Sequence, residues 1–157
     1  MFSSLLKSVL HNIGVVIVGF GFAYLGRRLD LLLGIRGFNY SLTTIVGRLL
    51  IIIGFLLRVW TTLYFYQQHM KVIKLRPQNT LITSGPFRFS RNPLYLGGNG
   101  FVFSGTALLL GSPGAVLLTV LNILLLDRWM IPREEHQLER DFGSEWIRYR
   151  NRVRRWL

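Results

Sequence analysis

Ile45-Val-Gly-Arg-Leu-Leu-Ile-Ile-Ile-Gly-Phe-Leu-Leu-Arg-Val-Trp-Thr-Thr-Leu-Tyr-Phe-Tyr66 is an apolar run interrupted only by Arg48 and Arg58. A membrane-crossing helix needs about 20 mostly apolar residues, and this run supplies them. Comparable bunches stand at Ser8 to Leu25, Leu94 to Leu110 and Ala115 to Met130. A soluble protein of 157 residues would have to hide all four in one core. The sequence therefore predicts an all-α, polytopic transmembrane helical bundle, one domain over residues 1–157, with about four spans. From Pro132 onward Leu138, Phe142, Trp146, Tyr149 and Val153 recur at three- and four-residue steps among Arg and Glu, which adds a C-terminal amphipathic helix.

Working outward from the second run, Ser41, Thr43 or Thr44 can cap its helix. Arg48 is near the end and can snorkel to the headgroups. Arg58 lies deeper: it either faces the bundle interior, a polar cavity or a partner, or snorkels from a tilted helix end. Trp60, Tyr64 and Tyr66 fit an interfacial aromatic belt. The first run has Gly14, Gly19, Gly21 and Gly26 at spacings that suit close helix packing. Met1 to Lys7 and the apolar stretch behind it imitate a signal peptide, but no small-residue cleavage site is evident, so a retained first helix is expected. Arg27, Arg28 and Asp30 are expected to end it, with Leu31 to Ile35 at the interface. Gln67 to Asn79 is polar and basic (Lys71, Lys74, Arg76). Gly111-Ser112-Pro113-Gly114 is a tight-turn signal that folds the third and fourth runs into a hairpin.

The chain carries 19 Lys and Arg against 7 Asp and Glu, a net charge of +12. In a soluble protein that would suggest nucleic acid. Here the cations flank the apolar runs, where they set orientation and meet anionic headgroups, so membrane lipids are the expected partners and nucleic acid is not. Their distribution places the 81–100 segment and the C-terminus on the cytoplasmic side, and four spans put the N-terminus there too; Arg27, Arg28 and Arg36 run against this arrangement. There is no cysteine, and His11, His69 and His136 are scattered, so no metal site is expected.

Between the second and third runs stands Leu81-Ile-Thr-Ser-Gly-Pro-Phe-Arg-Phe-Ser-Arg-Asn-Pro-Leu-Tyr-Leu-Gly-Gly-Asn-Gly100. Pro86 and Pro93 fix turns, and Gly85, Gly97, Gly98 and Gly100 allow close backbone approach. A tight hairpin makes the start of the third run and the end of the fourth neighbours. Arg91, Asn92, Tyr95 and Gly98-x-Gly100 therefore come close to Arg133-Glu134-Glu135. Paired carboxylates suit a cationic or hydroxyl-rich ligand, and Arg88 and Arg91 suit a carboxylate or phosphate. S-adenosylmethionine, with a sulfonium, an amino acid and two ribose hydroxyls, combines these characters.

Thr83-x-Gly85-Pro86-Phe87, Arg91-Asn92-Pro93-x-Tyr95-x-Gly97, Glu134-Glu135 and Phe142-Gly143-x-Glu145-Trp146-x-x-Tyr149-x-x-x-Val153 together resemble the integral-membrane methyltransferases, the superfamily of isoprenylcysteine carboxyl methyltransferase and phosphatidylethanolamine N-methyltransferase. The resemblance covers about Thr80 to Arg154. It implies that residues 80–157 hold S-adenosylmethionine at the cytoplasmic face, through Thr83, Gly85, Phe87, Arg91, Asn92, Tyr95, Gly98, Gly100, Glu134 and Glu135. Residues 1–79 would then shape the cavity for a lipophilic acceptor that enters from the bilayer. Asn92 replaces a His common in the carboxyl methyltransferases and cannot ionise. Met130 stands where the family often has an Arg, flanked by Arg128 and Arg133.

A carboxylate acceptor needs positioning by cations such as Arg133 or Arg152; an amine acceptor must lose a proton, with Glu134 or Glu145 as base. The plainer readings are headgroup anchoring by Arg91, Asn92 and Tyr95, helix packing by Gly98 and Gly100, ordinary N-terminal charges at Glu134 and Glu135, and a solvated salt-bridge face of Glu145, Arg148 and Arg152. The rival functions are a membrane reductase using a nicotinamide cofactor and a non-enzymatic lipid-binding protein. Oligomeric state is open.

Overall fold

A computed structural model describes residues 2–67 and 80–157, with side chains from Leu5 onward. The basic connection expected around Lys71, Lys74 and Arg76 lies outside these residues. Every regular element among them is helical: α1 (Phe2–Leu32), α2 (Ser41–Gln67), a 3₁₀ turn (Gly85–Arg88), α3 (Pro93–Tyr95) running through a π-helical segment (Leu96–Val102) into α4 (Phe103–Leu109), α5 (Pro113–Leu125) running through a second π segment (Leu126–Met130) into α6 (Ile131–Phe142), and α7 (Ser144–Arg152).

Among the described residues three helices have the length and apolarity to cross a membrane: Leu5–Leu32, Ser41–Gln67 and Pro113–Phe142. The expected third span is shorter and composite. It opens on Pro93, and its glycine-rich middle takes π geometry before α4 resumes the regular turn. The second π segment precedes Pro132, whose ring would clash with the carbonyl one α-turn back, and the wider turn accommodates it.

The first helix passes Arg27, Arg28 and Asp30 instead of ending there. Asp30 is fully buried and accepts from the Ser112 hydroxyl at 2.5 Å and the Gly114 amide at 2.7 Å, so its charge meets the free amides that open α5. Leu31 and Leu32 are the last residues of α1, and Leu33 to Ile35 close it: Gly34 is left-handed at φ +69°, its amide donates to the Leu31 carbonyl and the Ile35 amide reaches the Asp30 carbonyl at 2.8 Å. That pattern is a Schellman stop. The predicted Gly111–Gly114 turn is present, with the Ser112 hydroxyl accepting from the Ala115 amide.

Helix crossings are made by small residues, as expected where backbones approach in a membrane. A Cβ on Gly47 would lie 2.8 Å from the Gly105 carbonyl oxygen, and one on Gly97 would lie 2.9 Å from that of Gly54, so α2 packs backbone to backbone on the third rod, the composite helix from Pro93 to Leu109. Gly26 meets Ala115 in the same way, and Gly19 fits against Val102 and Phe103. Gly14 and Gly21 have nothing near them, so only two of the four glycines of α1 serve packing.

The interior also holds a polar strip. Ser8 and Thr62 share a short hydroxyl contact, Asn12 donates to Thr62 at 3.0 Å, and Arg58 donates to Asn12 at 2.8 Å and to the Leu94 carbonyl at 2.7 Å. Arg58 is thus an inward-facing residue, 8% exposed, and not a snorkelling one. At the other end of the sequence the amphipathic stretch is two helices. Gly143 takes φ +49° and breaks it, while Trp146 and Tyr149 on α7 are buried.

Candidate functional site

The 81–100 loop is shaped first by its turns. Gly85 has φ +60° and lies so close to the Tyr64 ring that a Cβ would be 2.8 Å away. The Tyr64 and Ser84 hydroxyls are hydrogen-bonded at 2.5 Å. Pro86 starts the 3₁₀ turn, which sets Phe87 edge-on to Phe65 of α2, with ring centroids 5.5 Å apart. The Tyr149 hydroxyl donates to the Phe87 carbonyl at 2.8 Å, and burial pushes its pKa up.

Beyond this turn the loop pairs with the residues after α7. The Arg91 amide donates to the Arg154 carbonyl at 2.9 Å; the Ser90 hydroxyl and the Asn92 side chain both donate to the Arg155 carbonyl. Arg91 is then gripped on several sides. Nη1 donates to the carbonyls of Arg150 and Val153, Nη2 pairs with Glu135 at 2.9 Å, and the guanidinium stands 5.7 Å from the Trp146 ring centroid. Arg155 holds the same Glu135 at 2.6 Å and also Asp127 at 3.1 Å, and Asp127 accepts from the Trp156 indole. The hydrogen bond to Glu135 is the main cause of a raised Arg155 pKa. Glu135 is therefore a shared counter-ion, 13% exposed, between two arginines. Next to it, Glu134 accepts from the Tyr95 hydroxyl at 2.9 Å.

These groups border a cavity of about 530 Å³. Phe87, Arg91, Asn92, Tyr95 and Glu134 line it from the loop, α3 and α6; His11, Arg58, Phe65 and Asn99 line it from the bundle. A narrow extension of about 50 Å³ shares Phe65, Phe87, Arg91, Asn92 and Glu134 and adds Glu135, Trp146 and Tyr149. An open groove of about 520 Å³ adjoins through Met130 and Glu134 and is lined by Asn122, Leu125, Trp129 and Arg133. The Asn99 amide donates to Asn122 at 2.7 Å, linking a residue of the cavity to one of the groove.

The hairpin thus brings Arg91 and Tyr95 to Glu135 and Glu134, the juxtaposition that the sequence predicts. Phe87 and Asn92 border the same cavity, and the remaining expected residues are placed differently. Gly98 lies under the Arg58 guanidinium, where a Cβ would be 2.8 Å from Nη1, and Gly100 makes ordinary contacts with Leu96 and Tyr95. Neither borders the cavity, nor do Thr83 and Gly85, which belong to the loop's own turns. Arg133 is in the adjoining groove. Glu145 and Arg152 are exposed on α7, outside these spaces. In place of the expected salt-bridge face, Arg148 donates to Ser144, Arg152 to the Arg148 carbonyl, and the ion pair there is Glu139 with Arg150 at 3.5 Å. Sequence reasoning missed Arg155, Asp127 and Phe65; only the run of C-terminal arginines signalled the first of them.

Residues 42–145 match the family model for phospholipid methyltransferase. The chain is 29% identical over 111 residues to protein-S-isoprenylcysteine O-methyltransferase B of Arabidopsis thaliana, covering 68% of this chain and 55% of that one. It is 31% identical over 122 residues to the Saccharomyces cerevisiae protein-S-isoprenylcysteine O-methyltransferase, covering 74% and 51%. A probable enzyme of the same name from Oryza sativa subsp. japonica is 31% identical over 144 residues, covering 87% and 72%. The chain therefore spans about half the length of the first two relatives. No solved structure matches it. With its apolar helices, its paired loop and α6, and these likenesses together, the chain belongs to the phospholipid methyltransferase family, in the superfamily of membrane methyltransferases that includes the isoprenylcysteine O-methyltransferases.

Proposed function

We propose that the protein transfers a methyl group from S-adenosylmethionine to a lipophilic acceptor, a carboxylate or an amine, at the cytoplasmic face of a membrane. The observation that carries this reading is that Glu134, fixed by Tyr95, and Arg91, fixed by Glu135, border one cavity. Its volume of about 530 Å³ falls in the range of small-molecule sites, roughly 300–1,000 Å³. The residues fit the group. The buried donors Arg91 Nε and Trp146 Nε1 have no hydrogen-bond partner among the described residues, and both side chains line the narrow extension. Buried donors need acceptors, which a carboxylate or ribose supplies.

In this reading Glu134 holds the cationic end of the ligand, and Arg91 and Asn92 hold its carboxylate. Phe65 and Phe87 offer ring faces to a flat heterocycle. Glu135 acts through Arg91, because its own oxygens are committed to Arg91 and Arg155. Thr83, Gly85, Gly98 and Gly100 shape the surrounding backbone. The chemistry supplied by the bound cofactor is an electrophilic methyl group on a sulfonium. For a carboxylate acceptor the chain has only to align the oxygen with that methyl, with Arg133 at the groove as the nearby cation. For an amine, Glu134 is the candidate base. Arg152 and Glu145, exposed on α7, are the weaker choices for these two roles. The finer topology belongs to the same proposal: Pro93–Leu109 is a fourth, short membrane segment, α6 and α7 form an amphipathic cap, and both termini are cytoplasmic.

The test is calorimetric binding of S-adenosylmethionine to detergent-purified protein, beside Glu134→Ala/Glu135→Ala and with NADPH as control. Binding by the wild type that is lost in the variant supports the reading. No binding by folded protein overturns it, and a response to NADPH alone would favour the reductase. A variant that keeps wild-type binding removes the two glutamates from the site.

A further inference from the structure

Arg58 takes no part in the site as described above, yet it lines the same cavity. It stands in the interior of α2 and is 8% exposed. Its bonds to the protein run from Nε to the Asn12 side-chain oxygen and from Nη1 to the Leu94 carbonyl, both neutral acceptors. Among the described residues no carboxylate reaches it in an ion pair. Asp127, Glu135 and Glu139 are paired with other arginines, Asp30 is bound to Ser112 and Gly114, and Glu134 accepts from Tyr95. The two bonds that Arg58 makes could be made by a neutral amide. A full positive charge in the interior of a membrane bundle is costly and is found where it meets a counter-charge or a pathway.

The surroundings keep that charge in place and turned to the cavity. Gly97 and Gly98 leave room for it, since a Cβ on either would lie 2.8 Å from the Arg58 side chain. Asn12 is itself held by donating to the Ser8 carbonyl and Thr62, so its oxygen is aimed at Nε. Nη2 makes none of these bonds and remains for a ligand. Leu94, whose carbonyl anchors Nη1, is the residue before Tyr95, and Arg58, Tyr95 and Glu134 all line the same cavity.

We infer that Arg58 is a specificity-determining residue that selects a lipophile carrying a negative charge, a carboxylate or a phosphate, as the second ligand of this cavity. That this ligand is the methyl acceptor rests on the methyl-transfer reading; its charge does not. An ammonium-bearing lipophile would meet an uncompensated guanidinium and is rejected. A neutral one gains nothing from it.

The experiment measures binding, not turnover. Full-length protein in neutral detergent is titrated with oleate, oleyl alcohol, oleylamine and dioleoyl phosphatidic acid, following the intrinsic tryptophan fluorescence. Oleate or phosphatidic acid should bind roughly 10- to 100-fold tighter than the alcohol, the scale of a charge-assisted hydrogen-bonded pair, with the amine weakest. Which of the two anions is favoured tells a single-chain acid from a phospholipid headgroup. Arg58→Gln should abolish the preference and Arg58→Lys retain part of it. Asn12→Asp keeps the arginine and nearly the same shape but supplies an internal counter-charge. It should abolish the preference even if Arg58→Gln does not fold, with thermal unfolding as the check on the fold. Equal binding of anion and alcohol by the wild type, or a preference that survives in folded Asn12→Asp, overturns the inference. S-adenosylmethionine is titrated into the same samples: failure there strikes the methyl-transfer reading and leaves the anion preference to be read independently.

Discussion

The Tyr95 hydroxyl donates to the Glu134 carboxylate at 2.9 Å, joining the first turn of the third rod to the first turn of α6. Residues far apart in sequence meet here because Gly111–Gly114 reverses the chain tightly. Tyr95→Phe removes this one donor and nothing else of size. Affinity for S-adenosylmethionine should fall by about tenfold, the worth of a hydrogen bond to a charged group, with thermal stability nearly unchanged. Isothermal calorimetry and an unfolding scan in the same detergent check both halves.

Glu135 separates its two arginines by burial. Arg91 is 10% exposed and also holds two backbone carbonyls, whereas Arg155 is 30% exposed. Arg91→Ala leaves Glu135 only the more exposed Arg155, takes the donor from the Arg150 and Val153 carbonyls, and should cost roughly 3 kcal/mol. Arg155→Ala leaves Glu135 one partner and should cost about 1 kcal/mol. Denaturant midpoints of the two variants should order them accordingly.

Gly47 and Gly14 make a matched pair of glycines. Gly47→Ala forces a methyl group against the Gly105 carbonyl and should destabilise by about 1–3 kcal/mol. Gly14→Ala meets nothing and should be neutral or stabilising by up to about 1 kcal/mol. Thermal unfolding of the two single variants decides this.

Tyr149 carries a pH dependence. Burial raises the pKa of its phenol in the folded state, opposed in part by Arg91. The stability it contributes is complete below the unfolded-state pKa of about 10. It is lost as pH rises from there through the folded value, because only the unfolded chain ionises freely. Tyr149→Phe should flatten the alkaline fall in unfolding midpoint above about pH 10, at the cost of the bond to the Phe87 carbonyl.

Much of this arrangement is legible in the sequence where it depends on hydrocarbon length and turn chemistry. The apolar runs announce their helices, and Gly111–Gly114 alone is enough to place Arg91 and Tyr95 beside the Glu134–Glu135 pair. Asp30 is the opposite case. Beside Arg27 and Arg28 it reads as the polar end of a helix, but its partners, Ser112 and Gly114, are settled only by tertiary packing. The break at Gly143 is hidden because the apolar period continues across it from Phe142 to Trp146. The orientation of Arg58 was within reach: it shares a face of α2 with Gly54, four residues earlier, and that is the face that packs. The Asp127–Arg155–Glu135 set was not, since nothing local links a charge in the π segment after α5 to an arginine beyond α7.

The π segment from Leu126 to Met130 is a counting device. Each π turn holds one residue more than an α turn, so it sets the angular phase of everything after it. Straightening that segment into regular α-helix with every residue kept would rotate α6 by about 100° relative to α5. Glu134 would swing from Tyr95 toward the lipid, although every residue of the site was still present. The chemistry of this protein is therefore encoded in the number of residues before its acidic pair as firmly as in the pair itself.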